Sequence, residues 1–243
     1  MVKPVGFDQK IQFQHLDFLA KNLKNYNSKD IYRVLEEHLL SSIKGDKSRK
    51  NAITMLMKIW KLAEPNIEEI QGTIIGEYPY LSNSEQRCVH YCLTCIAYPF
   101  YREQMNFIGK YLKMADAVKS KVLISQMKSL YGDRRRVEVA SSAVLSSSKD
   151  WGIITMDKPG VYSATAHRLV VNDKLVKNLL IEVLMEHLST NTVSVEMVNA
   201  SALFFPFDYH ITAGDIDTKR FTIINNIRDT LIERNPKNPY SYE

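Results

Sequence analysis

The chain has 243 residues, 45% hydrophobic and 24% charged, with a formal net charge of +5. That length allows one large domain or two small ones, and the composition is that of a globular chain able to bury a sizeable core without staples. Three cysteines confined to residues 88–95 exclude a disulfide framework. The opening segment lacks the apolar core of a secretory signal, and no window nears the ~18 uninterrupted apolar residues of a membrane span. The expectation is a reducing, cytoplasmic setting with no membrane partner.

Residues 1–98 read as a helical domain. Phe13, Leu16, Leu19, Ala20 and Leu23 recur at helical spacing. Asn27 or Ser28 is placed to cap a second helix carrying Ile31, Val34, Leu35, Leu39 and Ile43, with Gly45 ending it. Ser48 is expected to cap a third helix with Ala52, Met55, Leu56, Ile59 and Trp60 inward. Pro65 opens a fourth, over residues 66–75. Ser82 or Ser84 precedes a fifth running to Pro99, and the stretch Tyr98-Pro99-Phe100-Tyr101 fills a bend. No internal repeat or long linker is visible.

Residues 99–171 carry a different pattern. A helix over 101–112 presents Met105, Ile108 and Leu112; Ala117 and Val118 suit a short strand. Ser120 is expected to cap a helix with Leu123, Ile124, Met127 and Leu130 inward, stopped by Gly132. Asp133 then suits the N-cap of a further helix reaching residue 149. At about 100° per residue, Val137, Ala140, Ser141, Val144, Leu145 and Ser148 fall on its inner side. Arg135, Val139, Ser142 and Ser146 fall opposite. A strand begins at Trp151, turns through Lys158-Pro159-Gly160-Val161 as a type II turn, and returns over 161–165. From Lys119 to Arg136 there are six cations (Lys119, Lys121, Lys128, Arg134, Arg135, Arg136) against Asp133 alone. Their excess equals the net charge of the whole chain, so the remainder is neutral. A neutral body with one basic stretch is the footprint of a phosphate-binding surface, or else a solvated helix face.

The GDRRR turn, the segment DWGII and the DKPGVY hairpin make residues 101–171 resemble the winged helix-turn-helix domains of prokaryotic DNA-binding proteins. The layout, a helical domain joined to such a unit, is also similar to BrxA-type proteins of bacterial BREX phage-defence systems. The resemblance implies duplex DNA as a partner, bound by a regulator or by a subunit of a DNA-targeting protein complex. The third helix would enter the major groove, whose ~12 Å width favours a slim face such as one lined by Ser142 and Ser146. Arg134 and Arg136 would hold phosphates, Arg135, Ser142 and Ser146 would approach bases, and Lys119, Lys121, Lys128 and Lys158 would flank on the backbone. Glu138 would pair with Arg134 or Arg135.

The fold class expected is mainly α, with the helical N-terminal domain, the winged unit, and a small α+β C-terminal region over 172–243. That region should hold a helix over 173–188, a short helix within 191–202, strands over 208–212 and 220–224, and a frayed end from Pro236. Cys88, Cys92 and Cys95 share one helix face with His90 pointing away, which reads as core; neither a metal nor a cofactor is expected. His38 and His187 lie in Leu-rich helices and read as packing or surface. Asp208 with Asp217-Thr218-Lys219 is similar to a nuclease carboxylate pair and lysine, though a polar hairpin loop also explains it. The apolar run 202–207 reads as core or as an interface, which would suit a protein-assembly module or a homodimer instead of a DNA reader.

Overall fold

The computed structural model describes residues 3–27, 29–61, 65–226 and 229–236. Five helices build the N-terminal region: α1 (Phe13–Asn22), α2 (Asp30–Leu40), α3 (Asp46–Trp60), α4 (Pro65–Glu77) and α5 (Asn83–Ala97). Asn27 starts α2, its Oδ1 accepting from Lys29 N and Asp30 N; Ser28 lies outside the described residues. Gly45 does not end α2, which stops at Leu40; it is the N-cap of α3, three residues ahead of the expected cap Ser48. Ser82 and Glu85 form a reciprocal capping box on α5, satisfying two orphan amide groups. The Glu85 carboxylate also accepts from Asn172 N and Asp173 N, which ties α5 to the C-terminal region.

α5 is buried over nearly its whole circumference, so it is the central helix, packed by α3. Its three cysteines are buried, as their spacing requires. His90 does point away from them, yet it too is wholly buried. Trp60 Nε1 donates to His90 Nδ1 at 3.2 Å, and His90 Nε2 lies 2.7 Å from the Tyr78 hydroxyl, which itself donates to Asp17 Oδ1 at 2.9 Å. With Nδ1 accepting, the ring proton sits on Nε2 and is donated to the Tyr78 oxygen. Burial, with Arg87 and Lys21 adding repulsion, pushes the His90 pKa down to about 3.

The middle region runs α6 (Pro99–Leu112), β1 (Ala117–Lys119), α7 (Ser120–Tyr131), α8 (Arg135–Asp150), β2 (Ile154–Lys158) and β3 (Val161–Ala164). The strands form an antiparallel sheet in the order β1-β3-β2, with Val118 and Met156 both facing Tyr162. Gly160 sits at φ 75°, where a type II turn requires a residue without a Cβ. Three expectations need correction. α7 begins at Ser120, with Lys119 as its N-cap, and α8 is preceded by Arg134, so Asp133 caps nothing. Leu130 is exposed rather than inward.

The C-terminal region holds β4 (Leu169–Val170), α9 (Lys174–Leu188), β5 (Thr192–Ser194), α10 (Val195–Asn199), β6 (Phe207–Asp208), β7 (Phe221–Asn225) and β8 (Thr230–Arg234). Of the expected strand over 208–212 only Asp208 is strand, in a two-residue parallel pairing of β6 with β4. The helix expected within 191–202 starts only at Val195, because residues 192–194 pair with β8. Residues 237–243, where fraying was expected, lie outside the described residues. β5, β8 and β7 form a second antiparallel sheet in the order β5-β8-β7. Helix, strand, helix and hairpin therefore recur: α9–β5–α10–β7–β8 repeats the path of α6–β1–α7–β2–β3, with no counterpart of α8. This topological repeat carries no repeated sequence. Glu182, wholly buried on α9, bridges Arg220 and Arg234 and locks the second hairpin to its helix. The chain is thus mainly α with a small α+β C-terminal region, and buried side chains of all three regions belong to one core.

Candidate nucleic-acid interface

α8 divides its serines by face. Ser141, Ser147 and Ser148 are buried, whereas Ser142 is exposed and Ser146 half-buried. Ser147 Oγ accepts from Ile11 N at 2.9 Å, and Ser148 shares a hydrogen bond with the Tyr101 hydroxyl at 3.0 Å. On the open side lie Arg135, Val139, Ser142 and Ser146, and none of the last three is bulky. No side chain caps the first turn of α8, where Val137 N donates to Arg134 O at 3.0 Å and the helix start otherwise carries no side-chain acceptor.

The hairpin is pinned to the start of α7: Ser120 N donates to Gly160 O at 2.8 Å. Lys119 and Lys158 both stand opposite Val161 in the strand register. The two lysines thus end the strands that flank β3, roughly 10 Å apart at two strand spacings, with a register shift in β2 between Met156 and Lys158. Lys121 follows in the first turn of α7.

The nine candidate residues differ in how far they are already engaged. Arg136 makes a two-pronged contact with Asp8, at 3.1 and 2.8 Å, which holds its pKa above the usual guanidinium value. Arg134 donates to Tyr131 O and to Lys3 O, so it staples the end of α7 to the N-terminal segment. Lys128 pairs with Asp133 and with Glu138, and these contacts raise its pKa. Glu138 therefore pairs with Lys128, not with Arg134 or Arg135. The side chains of Lys119, Lys121, Arg135 and Lys158 have no ionic or hydrogen-bond partner among the described residues. Asp8 is the residue that sequence reasoning missed. It precedes the first helix, and no local pattern signals that it reaches Arg136.

The other constellations resolve as structure. Asp217 Oδ1 accepts from Lys219 N and so closes its own turn, while Asp208 sits on β6 beside Val170. Among the described residues no group of three or more His, Cys, Asp or Glu side chains converges as a metal site would. The apolar run 202–207 is interior: Leu203, Phe204 and Phe207 are buried, and the Tyr91 hydroxyl donates to Leu203 O at 2.6 Å. His38 stacks on Phe18 at 3.8 Å between ring centroids. Among the described residues no helix is long and apolar enough to cross a membrane. No family model, curated protein or solved structure matches this chain.

Proposed function

We propose that the protein associates with duplex DNA through residues 99–171, used as a winged helix, and acts as a regulator or as a subunit of a DNA-targeting complex. One observation carries this reading: four unpaired cations, Lys119, Lys121, Arg135 and Lys158, lie on the wing and at the helix starts of one unit whose third helix has a slim outer face. In this reading α8 lies in the major groove with Arg135 nearest the bases and Ser142 and Ser146 along the floor. Lys119 and Lys158 hold one backbone, and Lys121 with the α7 start holds a neighbouring phosphate. The Asp8–Arg136 pair is exposed on both sides, and such pairs contribute about 0–1 kcal/mol, so a phosphate can take the place of Asp8. Ala202, Leu203, Phe204 and Phe207 are buried and Phe205 is half-buried, so this run gives less support to the alternative of a protein-docking module.

The test is a fluorescence anisotropy titration on duplex DNA at several salt concentrations. Neutralising four phosphates gives a log–log slope near −3.6, at ~0.9 per contact. Replacing Arg135 by alanine should weaken binding, with Arg134 kept in place because it staples α7 to the N-terminal segment. Absent or salt-independent binding contradicts the reading.

A further inference from the structure

The DNA-facing surface does not end at the winged unit. α3 is buried on most sides by Ala52, Ile53, Met55, Leu56, Met57, Ile59 and Trp60. What it leaves to solvent between residues 47 and 58 is Lys47, Ser48, Lys50, Thr54 and Lys58. At about 100° per residue, Lys47, Lys50, Thr54 and Lys58 fall within an arc of roughly 80° and span ~17 Å of helix. The open face of α3 is therefore a lysine stripe. The one carboxylate at its end, Asp46, is shared between Arg49 and Lys50.

This stripe adjoins the start of α8 through a single short segment. Asp8 contacts Arg136 on α8, and the next residue, Gln9, donates to Ser48 O at 3.1 Å and accepts from Asn51 Nδ2 at 3.0 Å on α3. Further along, Lys58 stands 4.6 Å from the Tyr98 ring centroid, and that ring makes a T-shaped contact with Phe7 at 5.2 Å between centroids. Residues 7–9 thus lie with the α8 N-terminus on one side and the lysine face of α3 on the other. The carboxylates facing this seam are Asp8, held by Arg136, and Asp46, held by Arg49 and Lys50. Lys47 has no ionic partner among the described residues.

From this we infer that α3 is a second duplex-contacting element, with Lys47, Lys50 and Lys58 holding backbone phosphates of DNA that runs on past the α8 N-terminus. The inference rests on the DNA-binding reading above and extends the contacted length of duplex beyond one winged unit. Its chemistry is non-specific: lysine ammonium groups act as point charges on phosphate and carry no base readout.

The experiment compares a short duplex of about 12 base pairs, little more than one helical turn, with a long one of about 30. Wild-type protein should bind the long duplex more tightly and with a steeper salt dependence. The triple variant Lys47→Gln/Lys50→Gln/Lys58→Gln should match wild type on the short duplex. On the long duplex it should bind roughly tenfold or more weakly, with a salt slope shallower by about 2–3, at ~0.9 per lost contact. The matching triple Lys→Arg variant should restore both values, which separates charge from any effect on folding. Arg135→Ala/Lys158→Ala should weaken binding to both lengths. If the Gln triple equals wild type on both duplexes while Arg135→Ala/Lys158→Ala still weakens binding, the α3 contact is wrong and the winged-helix reading stands. If wild type binds neither duplex, both are wrong.

Discussion

Residues 99–164 and 174–234 follow the same path of helix, strand, helix and hairpin, with the same sheet order, yet they use the segment before the hairpin in opposite ways. In the first unit that segment is α8, 16 residues long, with an open face and an uncapped start. In the second it is the two-residue β6 between short 3-10 turns: residues 202–204 fold inward against α6, with Tyr91 of α5 donating to Leu203 O, while residues 213–215 lie at the surface beside α9. The charges diverge too. Lys119 and Lys121 flank the first β-to-α junction, and Ser194 and Glu196 occupy the matching places in the second. One topology thus presents a cationic outer surface in one copy and an interior support in the other, so topology alone does not assign the function.

The supporting role of the second unit can be broken at its most buried charge. Glu182→Gln leaves Arg220 and Arg234 without their shared carboxylate, and removing one partner of such a buried set costs about 3–5 kcal/mol. Urea denaturation should show that loss; a midpoint near wild type would mean the network is not holding the hairpin. The seam between units is tested at Gly109, where an added Cβ would lie 1.9 Å from Ala202 O. That atom is backbone and cannot swing aside. Gly109→Ala should destabilise by about 1–3 kcal/mol as overpacking does, despite the better helix propensity of alanine. A neutral or stabilising result would show that the units are not closely docked.

Acid should strain the N-terminal region before it affects the proposed DNA surface. The folded pKa of His90 is depressed to about 3, below its ordinary value of 6.5. Its stabilisation is therefore complete above pH 6.5 and is lost as pH falls toward 3, because the unfolded chain takes up the proton first. At pH 5 the loss is roughly 2 kcal/mol, at ~1.36 kcal/mol per pH unit. His15, lowered to about 4 chiefly by burial and then by His38, acts in the same direction. A denaturation midpoint that is flat from pH 7.5 to 5 would contradict the buried neutral His90. The smallest effect is expected at Asp8→Asn, which frees Arg136 and should tighten DNA binding by only a few-fold, since the pair is exposed. Weaker binding would mean that Asp8 positions Arg136 for DNA rather than competing with it.

The sequence made the first 171 residues largely legible because their helices are amphipathic and punctuated. Ser82, Gly132 and Pro159-Gly160 each act through local chemistry that a single chain segment reveals. The second unit was harder to read. α10 is only five residues, too short for a periodic signal, and in β8 the apolar pair Leu231-Ile232 is adjacent rather than alternating, with only Ile232 buried. Its likeness to the first unit lies in strand register, which leaves no shared motif. At the candidate site the residue types were legible, but their availability was not. Whether a cation is free depends on carboxylates placed by the fold, such as Asp8 on Arg136 and Glu138 on Lys128. His90 shows the same limit: helical angle turns it from the cysteines, but α5 is buried nearly all round, so it meets Trp60 and Tyr78 rather than water.

The most direct measurement is a salt-dependent duplex titration of two variants beside wild type. One carries Lys119→Gln, Lys121→Gln, Arg135→Gln and Lys158→Gln; the other carries Glu196→Gln and Asn225→Ala at matching places in the second unit. The account predicts that the first variant loses nearly all affinity and most of the salt slope, while the second binds as wild type does. Equal binding by all three proteins would contradict it.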